Sequence, residues 1–156
     1  MSTIEFSIKL SAPKEKLLEL MLDYLSFPKY LPHQIKSVKI IEKTSDYTIT
    51  EETLCLSTVI SKSIIQQTKH YIPNDGFLKS EVLTGPVKGS IIEVNFDEIE
   101  SGTNVSAKIQ VKLGFKYKFL LPLIKKSYKT FLMGILYKMQ SIANSSVSKN
   151  WIKLTG

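Results

Sequence analysis

The chain has 156 residues, 43% of them hydrophobic and 22% charged, which points to one compact domain and excludes a disordered chain. Its net charge of +7 is unevenly placed: residues 1–100 hold 11 Lys against 14 Asp and Glu, whereas residues 101–156 hold 10 Lys and no acid. The longest apolar runs, Phe119 to Ile124 and Phe131 to Leu136, have six residues each, far short of the roughly 20 that a spanning helix needs.

Ile4, Phe6, Ile8 and Leu10 alternate with polar neighbours and predict a strand. Pro13 stands where a helix can start, Glu15 falls in its first turn, and Leu17, Leu18, Met21, Leu22 and Leu25 form a stripe at helical spacing. Pro28 and Pro32 break that pattern and predict a short aromatic loop or helical turn over Phe27–Pro32. From Ile35 to Tyr117 the apolar period is two. Strands are expected over Ile35–Lys43 and Tyr47–Leu56, then a longer run from Val59 to Ile72 and another over Phe77–Leu83. Pro73-Asn74-Asp75-Gly76 is a hairpin signal because Asn, Asp and Gly tolerate positive φ, and Gly85-Pro86 marks a bend.

Ile92, Val94 and Phe96 alternate on an outgoing strand, and Val105, Ala107, Ile109, Val111, Leu113 and Phe115 on its return. A Ser101-Gly102 turn would set Phe96 against Ala107 and Val94 against Ile109. Both apolar sets then share one face, while Lys108, Lys112 and Lys116 share the other, partly neutralised by Glu93 and Asp97. Pro122 opens a long helix expected to end near Asn144. Ile124, Tyr128, Phe131, Ile135, Met139 and Ile142 fall within an arc of roughly 80°, with Lys126, Lys129 and Gln140 opposite. Met133 and Tyr137 fall on the polar side as candidates for a contact patch. The expected architecture is α+β: a curved antiparallel sheet of about seven strands wrapped around a long C-terminal helix, with two short helices after the first strand. Residues 1–146 form the domain and 147–156 a tail.

The stretch Asp23 to Pro32 resembles the segment after the first helix in the START-like (SRPBCC) superfamily, which includes polyketide cyclase/dehydrases and birch-pollen-allergen relatives. Leu83 to Gly89, then Phe96, Gly102-Thr103 and the Pro122 helix resemble its coenzyme-Q-binding branch. The resemblance implies a helix-grip fold with an internal apolar cavity for sterols, lipids, quinones, polyketides or hormones. The residues expected to line it are Phe27, Tyr30, Leu31, Val94, Phe96, Ile109, Val111, Leu113, Phe115, Ile124, Tyr128, Phe131 and Ile135. Thr53, Gln66 and Thr68 are inward polar candidates. Around residues 59–72 neither the odd nor the even set is cleanly apolar, so either a bulge or a ligand-facing polar stripe would fit.

The catalytic inventory is thin. His33 and His70 have no Cys, Asp or Glu at metal spacing, so no metal site is expected. His33 reads as a solvated loop residue and His70 as an exposed strand residue, with acid–base chemistry open only if His70 faces inward. Glu51 and Glu52 put one carboxylate on each side of their strand, without saying which is inside. Gly85-Pro86-Val87-Lys88-Gly89 is a bend and not a phosphate loop. No nucleophile–base pair and no cofactor are implied.

Cys55 is the single cysteine, which excludes an internal disulfide and fits an inert core thiol in a reducing cytoplasm. Residues 1–20 lack the apolar segment of a signal peptide. All 21 basic residues are lysine; a lysine-favouring codon usage accounts for that choice but not for the acid-free last third. Without arginine's planar fork, sequence-specific nucleic-acid binding is disfavoured.

The leading expectation is a non-catalytic carrier of a lipid, isoprenoid or quinone-like molecule, with transient contact between the basic last third and an anionic membrane. The alternatives are a cyclase/dehydratase-type enzyme in the same cavity and an interaction module built on the lysines.

Overall fold

The computed structural model describes the backbone of residues 2–55 and 63–155 and the side chains of 2–55 and 63–145. The chain runs β1 (Ser2–Leu10), α1 (Lys14–Met21), a 3-10 turn (Tyr24–Ser26), α2 (Phe27–Tyr30), β2 (Ile35–Lys43), β3 (Tyr47–Cys55) and β4 (Ser63–Tyr71). Then follow β5 (Phe77–Val82), β6 (Ile91–Ile99), β7 (Gly102–Val111), a six-residue 3-10 helix (Phe115–Leu120) and α3 (Leu121–Thr155). All strands pair antiparallel in one seven-stranded sheet of order β1-β7-β6-β5-β4-β3-β2. The chain therefore leaves the sheet at one edge and re-enters at the other. The segment α1–α2 crosses that gap, and α3 lies along the inner face. This is the helix-grip arrangement.

Local chemistry accounts for most of the boundaries. Asp75 (φ 47°) and Gly76 (φ 84°) supply the positive-φ pair that closes the β4–β5 connection, sealed by reciprocal Asn74–Phe77 backbone bonds. The inner face alternates cleanly: Val94 and Phe96 on β6, with Val105, Ala107, Ile109 and Val111 on β7, are buried. On α3 the buried stripe runs through Ile124, Phe131, Ile135, Leu136, Met139 and Ala143. Pro13 and Pro122 sit at helix starts, where a missing N–H costs nothing.

Four expectations are corrected. The β6–β7 turn is Glu100-Ser101, so Phe96 opposes Val105, Val94 opposes Ala107 and Ile92 opposes Ile109. Gly102 (φ 147°) belongs to the strand, because a Cβ there would lie 2.1 Å from the Leu10 carbonyl oxygen. The glycine answers a close approach, not a turn. The shift is two residues, so the apolar face survives. Glu93 opposes Lys108, while Asp97 opposes Asn104.

Second, β7 stops at Val111. The Lys112 N–H is taken by Ser90 Oγ (2.9 Å) and the Gly114 N–H by the Pro86 carbonyl (3.2 Å), which draws the chain off the sheet. Leu113, Phe115, Lys112 and Lys116 thus lie beyond the strand. Third, α3 does not end near Asn144 but continues in backbone to Thr155. Fourth, Thr53 is on the outer face: Thr50 and Leu54 are buried on the other parity, and Thr53 pairs with Ile65, which is 60% exposed. Val59 to Lys62 and the Trp151 side chain lie outside the described residues.

Candidate ligand cavity

Between the inner face and the N-terminal half of α3 lies a cavity of about 140 Å³. Its floor is Ile35, Leu54, Leu78, Ile92, Val94 and Ile109 from the sheet, and its roof is Tyr128, Phe131, Leu132 and Ile135 of α3. Met21, Tyr24 and Phe27 close the mouth. The rest of the lining is polar: Glu52, Gln66, Thr68, His70 and Ser80, with Tyr71 and the exposed Lys79. The volume suits a single aromatic ring, well below the roughly 300 Å³ at which sites for larger ligands begin. An outer groove of about 350 Å³, lined by Leu22, Leu25, Ile40, Ile72 and Pro73, shares Tyr24, His70 and Tyr71 with the cavity. The Tyr24 ring stacks on the His70 imidazole (centroids 4.2 Å apart) and lies edge-on to Phe27. Tyr24 therefore stands between the two spaces.

The polar residues form one connected chain. Tyr128 donates to Gln66 Oε1 (2.7 Å), Gln66 Nε2 to Thr68 Oγ1 (3.5 Å), and Thr68 to Glu52 Oε2 (3.2 Å). From the other side, Thr50 donates to Glu52 Oε1 (2.8 Å). Thr50 Oγ1 also lies 2.9 Å from His70 Nε2, and His70 Nδ1 lies 2.8 Å from Ser80 Oγ. Strand parity explains the assembly: Thr50 and Glu52 on β3, Gln66, Thr68 and His70 on β4, and Ser80 on β5 all face inward.

Burial sets the charges. Glu52 and His70 are 14% and 15% exposed in their side chains, and His70 Nε2 lies 3.9 Å from Glu52 Oε1. Burial pushes the Glu52 carboxyl up to about 7, although hydrogen bonds from Thr50 and Thr68 pull against it. Burial pushes His70 down to about 4. At neutral pH the pair is a neutral imidazole beside a half-ionised carboxyl, not an ion pair. Burial also raises the Tyr24 hydroxyl to about 12, and burial together with the nearby Glu52 charge raises Tyr128 further.

Of the residues expected to line a cavity, Phe27, Val94, Ile109, Tyr128, Phe131 and Ile135 are brought together here. Val111 lines a separate void of about 10 Å³ beyond Tyr128. Tyr30 is buried beside Phe27, and Leu31 packs on α3 at Gly134, where a Cβ would lie 3.0 Å from it. Phe96 and Ile124 are fully buried elsewhere in the core. Leu113 lines an outer groove with Lys112 and Leu121, and Phe115 is 87% exposed. His70, expected outside, faces in. Glu52 is the inward member of its pair, and His33 is exposed as expected. Gln66 and Thr68 face the cavity, so of the two expectations for this strand the inward polar stripe is the one seen in its described part. Of the mouth residues, Met21 was read only as part of the helical apolar stripe, and Tyr24 only as part of the Asp23 to Pro32 stretch that carries the resemblance.

No protein-family model and no curated protein matches the chain. Solved structures do. An aromatase/cyclase from Streptomyces sp. R1128 superposes with a TM-score of 0.80 at 12% identity, covering 94% of this chain and 95% of that one. A START superfamily protein from Mycobacterium smegmatis gives 0.72 at 13% identity, covering 92% and 97%. The major latex-like protein 151 from Panax ginseng gives 0.69 at 12% identity, covering 91% and 97%. At such identities the likeness shows the fold alone, and that fold is START/SRPBCC-like.

Proposed function

We propose that the chain binds a small hydrophobic molecule, ring-sized with one polar end, in this cavity and acts as its carrier or chaperone. The observation that carries the reading is an apolar chamber whose single polar wall, Glu52 to His70, can orient a hydroxyl or carbonyl. Among the described residues no buried polar side-chain atom lacks a hydrogen-bond partner. The polar wall is thus satisfied when empty, as a resting binding site requires. A quinone ring suits the present volume. An isoprenoid or lipid tail requires Tyr24 to swing out and join the cavity to the outer groove. The acid-free last third supports brief visits to an anionic membrane from the cytoplasmic side, where cargo would be exchanged.

Native mass spectrometry of the protein purified from cells tests this, followed by titration with indole and 1-naphthol. The expected result is a non-covalent adduct, or probe uptake, that Val94→Phe abolishes. Bare protein that takes up neither probe overturns the proposal.

A second reading is favoured by one observation, the Glu52 carboxyl poised near neutrality inside the cavity. Such a group can take a proton from a carbon beside a carbonyl and return it to a leaving hydroxyl, the step a cyclase/dehydratase needs on a polyketide-like substrate. Glu52→Gln separates the two readings. A carrier keeps its affinity within a few fold, whereas an enzyme keeps binding and loses turnover.

A further inference from the structure

The 3-10 helix Phe115–Leu120 reads Phe-Lys-Tyr-Lys-Phe-Leu, and its two phenylalanines point away from the protein. Phe115 is 87% exposed and Phe119 77% exposed. Large apolar side chains rarely stand so far out, and an aromatic pair held on a rigid turn implies a partner. The turn is anchored from below. Leu120 and Leu121 pack against the core, the Tyr117 N–H bonds the Gly114 carbonyl (2.9 Å), and Gly114 is tied to Pro86. Lys112, Lys116 and Lys118 in and beside the turn, and Lys126 and Lys129 further along α3, are exposed. Among the described residues none of these lysines enters an ion pair. Lys118 Nζ lies over the Phe115 ring at 5.4 Å and Lys116 Nζ over the Tyr117 ring at 5.1 Å. Beside the turn a shallow groove of about 640 Å³ combines Val111, Leu113 and Leu121 with Lys112 and Lys118.

We infer that this turn is a membrane wedge: Phe115 and Phe119 enter the headgroup boundary of an anionic bilayer while the surrounding lysines hold its surface charge. Apolar rings flanked by lysines, with acids absent from the whole last third, match a surface that is negative outside and greasy just beneath. A single nucleic-acid strand also stacks on aromatics. The groove beside the turn, where Val111, Leu113 and Leu121 lie between Lys112 and Lys118, carries no aromatic ring on which a further base could stack, and it offers acyl chains an apolar strip with cations at its margin. The inference deepens the membrane contact proposed above by naming the element that inserts.

Co-sedimentation with phosphatidylcholine vesicles, with and without phosphatidylserine, decides it. The parent should bind only the anionic vesicles and lose affinity with salt. Phe115→Ser/Phe119→Ser should weaken binding at least about tenfold, with indole uptake unchanged because neither ring touches the cavity. Each of Lys116→Gln and Lys118→Gln should cost about fivefold. Salt-sensitive vesicle binding that survives the double serine change overturns the wedge and leaves the membrane contact standing. No vesicle binding at all overturns both. Binding to poly-uridine that needs the two rings, without vesicle binding, overturns the wedge in favour of a nucleic-acid platform.

Discussion

The two halves of α3 look onto different interiors. Toward its C-terminal half, Leu136, Met139 and Ala143 are essentially inaccessible, as are Leu10, Ala12, Leu17, Phe96 and Val105 of the same core. That end is also tied shut. Gln140 Oε1 accepts from the Ser11 N–H (2.7 Å), Asn144 Nδ2 donates to Ser11 Oγ (3.2 Å), and Thr103 Oγ1 donates to the Ala12 carbonyl (2.7 Å). Toward its N-terminal half, Tyr128, Phe131 and Ile135 face space and a polar wall. One end is a solid foundation and the other a hollow. The contrast teaches that the domain's tightest packing and its cavity lie in separate layers of one core, so each can be altered with limited cost to the other.

The strongest way to break the contrast is truncation. Phe96→Ala at the solid end should cost about 3–5 kcal/mol in urea unfolding, since packed neighbours on all sides lose contacts. Phe131→Ala, which already borders empty space, should cost at least about 1 kcal/mol less, because fewer partner atoms are lost. Equal costs would mean that the hollow end is as tightly packed as the other.

Next in size is pH. Glu52, raised to about 7, is destabilising in its charged form: its penalty is absent below its unfolded value near 4.5 and grows as pH rises through 7. His70, lowered to about 4, behaves oppositely: its penalty is absent above 6.5 and grows as pH falls toward 4. Across that window one penalty replaces the other, so the parent's stability should change little through this pair. Glu52→Gln should expose the histidine and lose up to about 3 kcal/mol on going from pH 7 to 4, whereas His70→Asn should lose a similar amount from pH 4.5 to 7.5. Denaturant titrations at both ends of the range check both slopes. Parallel curves for the two variants would show that these groups do not sense the cavity.

How much of this contrast the sequence carried depends on the residue. Asn74-Asp75-Gly76, the β6–β7 alternation and the α3 stripe were legible because each follows a local rule of φ tolerance or periodicity. Gly102 misled, since a glycine read as turn chemistry is there for the Leu10 carbonyl, a partner 92 residues away in sequence. Phe115 misled because its alternation continues past the point where Ser90 and Pro86 pull the chain away. The polar wall was the least legible. Gln66 and Thr68 were read as inward, but inward Glu52 and His70 violate the apolar-inside rule that fixes parity, so the strands lining the cavity are the ones whose facing the pattern partly hides.

A smaller effect sharpens the difference by enlargement. The same change, Val→Phe, should overpack Val105 and cost about 1–3 kcal/mol, while at Val94 the ring can enter the cavity with a cost below about 1 kcal/mol. Thermal unfolding of the two variants, read beside indole uptake, should give a stable non-binder at 94 and a weakened binder at 105. The reverse order would place the space elsewhere.

The smallest energetic effect concerns a single proton. The Thr50 hydroxyl has one hydrogen and two neighbours, Glu52 Oε1 and His70 Nε2. When Glu52 is ionised, Thr50 donates to it and must accept from His70, which fixes the Nε2–H tautomer and leaves Nδ1 to accept from Ser80. When Glu52 is protonated, it can donate to Thr50. Thr50 then donates to Nε2, and His70 carries its proton on Nδ1 toward Ser80. Nitrogen-15 NMR of the imidazole should therefore report a tautomer change centred near pH 7, far above the histidine's own protonation near 4. Thr50→Val should cost about 1 kcal/mol or less beyond its lost bonds and abolish the change near 7. A tautomer that stays fixed from pH 5 to 9 in the parent would show that the carboxyl and the imidazole are not linked through this hydroxyl. Both readings of the cavity would then have to treat them as separate groups.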